Sequence, residues 1–163
     1  YGCGFYDKMS FIPYHYLHCY LNVPDTSGRD SLFQSESRKC KKILDKINKL
    51  GGSVRHFCLF DELYSGTNPK EAVKCGYAYL SHLSNTANIQ YMLTTHYTEL
   101  CEKFSKKDTI ENYKMLVKVD EATSTITYTY KIVKGVNDVD GGVEVLRQMN
   151  YPVSILNKMN EMN

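Results

Sequence analysis

The sequence predicts an α/β fold, with a central, mostly parallel sheet flanked by helices, then a late antiparallel hairpin and C-terminal helices. Three observations predict it. Phe57-Cys58-Leu59-Phe60 is apolar without alternation, as a central strand covered on both faces would be, and it ends in two adjacent acids, Asp61 and Glu62. A second β-like run, Ile89 to Thr95, follows one helix-length later and ends in His96. Beyond Lys103, the segments Tyr113 to Val119 and Ile126 to Val133 alternate, are rich in β-branched residues and are joined by a polar stretch.

From Tyr16 to Val23, Leu17, Cys19, Leu21 and Val23 face one way and Tyr16, His18, Tyr20 and Asn22 the other, which is strand periodicity. His15 and His18 receive no role, because histidines on a half-exposed strand are usually ordinary surface residues. Pro24 to Asp30 is turn-rich. Ser31-Leu32-Phe33-Gln34 then has the spacing of a capping box and opens a helix expected to end near Asn48. Phe33, Cys40, Ile43, Leu44 and Ile47 form its buried stripe, and Arg38, Lys39, Lys41, Lys42, Lys46 and Lys49 its solvated faces. Gly51-Gly52-Ser53 ends that helix. After the acids, Asn68 is an N-cap, Pro69 sits at the first helical position and Glu71 two residues further on, so a second helix starts there and carries Ala72, Val73, Tyr77, Leu80 and Leu83 against the sheet. Strand, helix, strand in this order implies a parallel pair and brings Asp61, Glu62 and His96 to one rim. Gly135 to Gly142 is a loop; a short helix to Met149 and another from Pro152, with Val153, Leu156 and Met159 on one face, close the chain.

At 163 residues, 42% hydrophobic and 23% charged, the chain is long enough for one core, and one domain is expected. Six scattered cysteines without a Cys-x-x-Cys pair favour reduced thiols over disulfides or zinc. No apolar run approaches a membrane span, and no leader opens the sequence, so a soluble, intracellular protein is expected. A net charge of +2 does not by itself argue for nucleic acid. The start at Tyr1 suggests a fragment.

An apolar strand delivering paired acids has the shape of a Walker B motif, in which one carboxylate helps hold Mg²⁺ on nucleotide phosphates and its neighbour orients or deprotonates the attacking water. Solvated acids at a strand end are the plainer alternative. Phe60-Asp61-Glu62-Leu63-Tyr64-Ser65-Gly66-Thr67-Asn68 followed by Thr94-Thr95-His96-Tyr97-Thr98-Glu99-Leu100 closely resembles the ATPase domain of the MutS mismatch-repair family, which shows Asp-Glu-x-x-x-Gly-Thr-Ser and then Thr-His-Tyr-x-Glu-Leu. The resemblance covers nearly the whole chain. The tyrosine-rich composition and His18-Cys19-Tyr20-Leu21-Asn22 also resemble MutS-like proteins of large DNA viruses.

The resemblance implies the later part of an ABC-type P-loop NTPase fold with ATP and Mg²⁺ as cofactors. It assigns Asp61 to the metal, Glu62 to the water, and His96 to the switch position sensing the γ-phosphate. Ser27-Gly28-Arg29 and Ser31-Leu32-Phe33 with Glu36 match the signature segment that reaches the nucleotide of a partner subunit, with Asp30 as an additional residue between the halves. Ser31 is thus a cap, a phosphate ligand acting in trans, or both. Ser65-Gly66-Thr67 corresponds to the D-loop along the dimer interface. Implied partners are a second MutS-like subunit, in a homo- or heterodimer, and mismatched double-stranded DNA held by domains outside this chain. Asp140-Gly141-Gly142-Val143 lacks the aromatic of the family's Ser-Tyr-Gly. No Gly-Lys pair occurs, so the Gly-x-x-x-x-Gly-Lys-[Ser/Thr] loop that cradles phosphates is outside the chain. Two alternatives stay open: a degenerate, non-catalytic ABC dimerisation module, and another ABC-type DNA-repair or chromosome-structure ATPase.

Overall fold

The computed structural model describes residues 7–21, 31–120, 125–137 and 141–161. The chain divides into two compact units, Tyr1–Leu100 and Cys101–Asn163. The first is a three-stranded parallel sheet, in which β1 (Tyr16–Tyr20), β2 (His56–Asp61) and β3 (Ile89–Thr94) lie side by side in sequence order. Helix α1 (Leu32–Leu50) joins β1 to β2, and α2 (Pro69–Ser84) joins β2 to β3. Tyr20 stands opposite Phe60, and Asp61 opposite Thr94.

Successive crossovers of one hand put both helices on the same face of the sheet, and the contacts agree. Lys39 and Lys46 of α1 lie over the Tyr20 and Tyr16 rings of β1, with the ammonium 5.4 and 4.8 Å from the ring centres. On α2, Tyr79 donates its hydroxyl to the Cys40 carbonyl at 3.2 Å and meets the Phe60 ring edge-on, while Ser84 and Tyr91 share a hydrogen bond of 2.8 Å. Tyr20, Cys40, Cys58, Phe60, Leu80 and Leu83 close this core. Each fully buried leucine contributes roughly 1.5–3 kcal/mol.

Both helices begin where local chemistry says they should. The Ser31 side chain accepts from the Gln34 N–H at 3.2 Å while Gln34 Oε1 accepts from the Ser31 N–H at 3.0 Å, a complete capping box. Asn68 Oδ1 caps the Glu71 N–H at 3.0 Å, with Pro69 following where its missing N–H costs nothing. Gly51 ends α1 at a φ of 72°, a conformation costly for other residues.

Packing settles one point that the alternation left open, on β1, and changes two expectations, on β2 and on the helices. On β1 the packed face carries Tyr16, His18 and Tyr20, whereas Leu17 is 52% exposed and Cys19 is exposed too. Aromatic and histidine rings offer α1 more area than Leu17 and Cys19 do, and His56 completes a stack with Tyr16 and His18. On β2, His56, Cys58 and Phe60 are buried while Phe57 and Leu59 are half-buried, so among the described residues one face is covered more fully than the other. On the helices, Glu36 joins the buried stripe of α1 and Tyr79 rather than Tyr77 is the buried tyrosine of α2, while Phe33 and Leu44 are half-buried.

In the second unit, which the short helix α3 (Thr98–Phe104) enters, β4 (Tyr113–Asp120) and β5 (Thr125–Lys134) form the expected antiparallel hairpin. Its register shifts between Leu116 and Val117, where Tyr130 takes a left-handed φ of 57° and the Thr129 hydroxyl donates to the Leu116 carbonyl at 2.6 Å. Helices α4 (Gly142–Gln148) and α5 (Val153–Asn160) follow; Leu156 is buried, whereas Val153 is exposed. Glu144 is buried with Arg147 and Gln148 as partners. Among the described residues all five cysteines are free thiols, and burial pushes Cys58 up to about 12 and Cys40 up to about 11. No described helix is long and apolar enough to cross a membrane.

Candidate functional site

Strand β2 leaves the core in one step: Phe60 is buried, Asp61 and Glu62 are exposed, and Leu63 and Tyr64 are buried again. The two acids are therefore the crest of a turn pinned at both ends. Glu62 and Tyr64 both take left-handed backbone conformations, with φ of 49° and 62°. Such conformations cost a non-glycine residue energy and persist where the surroundings enforce them. Here Leu63 and Tyr64 do so by burial, and the Glu62 N–H donates to the Thr94 carbonyl at 2.9 Å.

That bond aligns the ends of β2 and β3. The Thr94 hydroxyl donates to Asp61 Oδ1, and two residues later His96 Nδ1 lies 3.2 Å from Glu62 Oε1. With Nδ1 donating to this carboxylate, Nε2 is the histidine nitrogen left to face solvent or a ligand. The pair is open, the side chains being 57% and 53% exposed, so its worth lies in orientation more than in stability. The Tyr97 ring lies tilted against His96 with ring centres 4.2 Å apart, and its hydroxyl is raised by burial and by the negative charges of Glu36 and Glu62.

Glu36 is only 2% exposed. Its Oε1 accepts the Ser65 hydroxyl and its Oε2 the Gly66 N–H, both at 3.1 Å. The Tyr20 hydroxyl is buried beside this carboxylate without reaching hydrogen-bond geometry, and burial and then that charge raise its pKa. At Gly66 a Cβ would stand 2.6 Å from Leu32 Cγ and 2.8 Å from the Phe33 nitrogen, so the turn and the first turn of α1 meet backbone to backbone. Thr67 donates to Glu71 Oε2 at 2.8 Å and leads into α2.

The structure thus brings Asp61, Glu62 and His96 to one rim and Glu36, Ser65, Gly66 and Thr67 to the turn beside it. Ser31 stands at the exposed start of α1. Ser27, Gly28 and Asp30 lie outside the described residues. Two neighbours were not foreseen. Thr94 could have been read from its place opposite Asp61 at a strand end; Tyr97, two residues from the strand, gave no such signal. A shallow depression lined by Tyr14, Arg55, Asn88, Ile89 and Gln90 lies at the other, amino-terminal end of the strands and has no part in this site.

A family model of MutS domain V matches residues 7–163. The chain belongs to the MutS domain V family. It is 26% identical over 138 residues to the DNA mismatch repair protein MutS of Thermosipho melanesiensis, covering 85% of this chain and 16% of that one. It is 25% identical over 159 residues to the protein of the same name from Thermodesulfovibrio yellowstonii, covering 94% of this chain and 18% of that one. With the Endonuclease MutS2 of Streptococcus uberis it shares 30% identity over 143 residues, 88% of this chain and 18% of the other. The chain thus spans less than a fifth of the length of the relatives it matches. For a MutS domain V, the α/β build with a small parallel sheet and an antiparallel hairpin is the compatible architecture.

Two hard oxygen donors at the strand ends, the Asp61 carboxylate and the Thr94 hydroxyl beside it, suit Mg²⁺. No group of three or more His, Cys, Asp or Glu able to hold a metal by itself exists among the described residues.

Proposed function

We propose that the chain is the later, carboxylate-bearing part of an ABC-type ATPase domain in a MutS-like protein, in which ATP binding and hydrolysis in a dimer are coupled to DNA recognition. The observation that carries this reading is the rim itself: Asp61 on Thr94 and Glu62 on His96, at the carboxyl ends of adjacent parallel strands, where open α/β sheets place their ligands.

Asp61 is the Walker B acid and would hold Mg²⁺, which supplies charge neutralisation on the phosphates. Glu62 takes the proton of the attacking water through the carboxylate oxygen that His96 leaves free, and His96 presents Nε2 toward the γ-phosphate. Ser31 and the start of α1, with Ser27 and Gly28, form the signature segment addressing the partner subunit's nucleotide; accepting from Gln34 leaves the Ser31 hydroxyl its own proton to donate, so capping and phosphate binding are compatible. Ser65 to Thr67 runs along the dimer interface. DNA contacts belong to parts of the complete protein outside this chain, in an intracellular setting. The relatives carry two names, mismatch repair protein and endonuclease, and the kind of DNA recognised is decided by those outer parts.

In the complete protein, Glu62→Gln keeps the side-chain size and removes the proton acceptor. ATP binding is expected to survive while hydrolysis slows by roughly 10² to 10⁴-fold. Asp61→Asn weakens Mg²⁺-dependent binding instead. Turnover near wild type in both variants would refute the assignment.

A further inference from the structure

The Ser65–Thr67 turn is joined to the start of α1 by a carboxylate that no solvent reaches. Glu36 lies on the second turn of α1, five residues beyond the Ser31 cap, and both its oxygens are used on the turn, one on the Ser65 hydroxyl and one on the Gly66 N–H. Gly66 packs so closely against Leu32 and Phe33 that the turn cannot slide along the helix. Four residues before Gly66 is Glu62, held in its left-handed conformation by the buried Leu63 and Tyr64. Tyr97 feels the charges of both Glu36 and Glu62, and its ring lies against that of His96 at a tilt of 47°. A buried charge-assisted pair of hydrogen bonds is a stiff connection, because breaking it strands an unpaired carboxylate in the core.

We infer that Glu36 is a positioning residue: through Ser65 and Gly66 it makes the start of α1 and the Asp61–Glu62 crest move as one body. This rests on the ATPase reading above. On that reading α1 meets the nucleotide of the partner subunit while Asp61 and Glu62 act on the nucleotide of their own, so Glu36 connects the two sites within one chain. Neither oxygen of Glu36 is available to a ligand, so it acts through the turn rather than on the phosphates. The sequence motif alone groups Glu36 with the ligand-facing residues; its burial and its two partners separate it from them.

The test uses the complete protein and four variants: Glu36→Gln, Ser65→Ala, the two together, and Glu62→Gln as a control. Glu36→Gln keeps size and one acceptor but turns an NH₂ toward one of two donors. Expected is a loss of kcat of roughly ten- to a hundredfold, the size of effect that small misplacement produces, with KM for ATP within about twofold of wild type. Because both single changes cut the same connection, the double variant is expected to be no slower than the slower single one. A merely structural carboxylate would lower the unfolding temperature and leave kcat alone, and that result overturns the inference. So does a double variant whose loss is the product of the single losses. Should Glu36→Gln fail to fold, Ser65→Ala alone carries the test, since it removes only an oxygen: kcat reduced at constant KM supports the inference, unchanged kcat overturns it. If Glu62→Gln slows hydrolysis and Glu36→Gln does not, the inference falls and the ATPase reading stands. If Glu62→Gln hydrolyses normally, both fall.

Discussion

At the scale of single residues, the glycine of the Ser65–Thr67 turn is the strictest position in the site. A methyl group there would press on the Leu32 side chain, which can yield, and on the Phe33 nitrogen, which cannot. Gly66→Ala is therefore expected to cost roughly 1–3 kcal/mol, the usual range for forcing extra volume into a packed contact, and to raise solvent access at Ser65 by prising the turn from α1. Denaturant titration of the variant beside wild type measures the first, and hydrogen exchange at the Gly66-equivalent amide the second. Gly51 makes the contrast: nothing lies within 4 Å of its would-be Cβ, and only its left-handed backbone resists substitution. Side-chain size matters at one glycine and backbone freedom at the other.

At the scale of elements, β1 and β2 are joined by a histidine pair. His18 Nε2 and His56 Nδ1 are 3.0 Å apart, the rings stack with Tyr16, and His56 Nε2 is buried without a hydrogen-bond partner among the described residues. A second proton on this pair would face its neighbours' charge, and on His56 Nε2 it would have no acceptor among the described residues. Burial lowers both pKa values, with His56 and Lys46 adding to the effect on His18, and His15 and Lys46 to that on His56. Since the folded state prefers both rings neutral, their contribution is complete above the unfolded value near 6.5 and is lost as pH falls through the lowered folded values. The unfolding midpoint is expected to drop as pH falls below about 7, and His56→Phe, which keeps a ring in the stack, to flatten that slope; an unchanged slope would mean other groups set it. This pair was not legible in the sequence, where His18 and His56 are 38 positions apart and the register joining them is set by the sheet. The caps were legible because they are local: Ser31 with Gln34, and Asn68 with Pro69 and Glu71, satisfy each other within one turn. Alternation along β1 gave the period of the strand but not its phase, so the packed face could not be chosen in advance. Glu36 shows the same limit at the site. The signature-segment match groups it with the ligand contacts, and only the Ser65–Gly66 turn, 29 and 30 positions away, turns it inward.

At the scale of the whole molecule, the acids, the histidine and the turn are present and the phosphate cradle is not: no Gly-Lys pair occurs in 163 residues. The Gly-x-x-x-x-Gly-Lys-[Ser/Thr] segment that would present a nucleotide to Asp61 and Glu62 is thus missing from these residues. Purified as these 163 residues, the chain is expected to show no steady-state ATP hydrolysis above background, measured as phosphate release with and without Mg²⁺, and a clear rate would mean that the site works by other groups. The less covered side of the sheet has a practical consequence for anyone preparing that sample. Leu17, Cys19 and Met92, the last 61% exposed, point away from α1 and α2, and an apolar surface of this kind acts as glue between molecules in a tube. Strand geometry also supplies the remedy. Because alternate side chains belong to opposite faces, polar replacements at 17, 19 and 92 wet the sticky side while Tyr16, His18, Tyr20 and Tyr91 keep their packing, so a well-behaved reagent for studying the acids can be made without touching a residue that supports them.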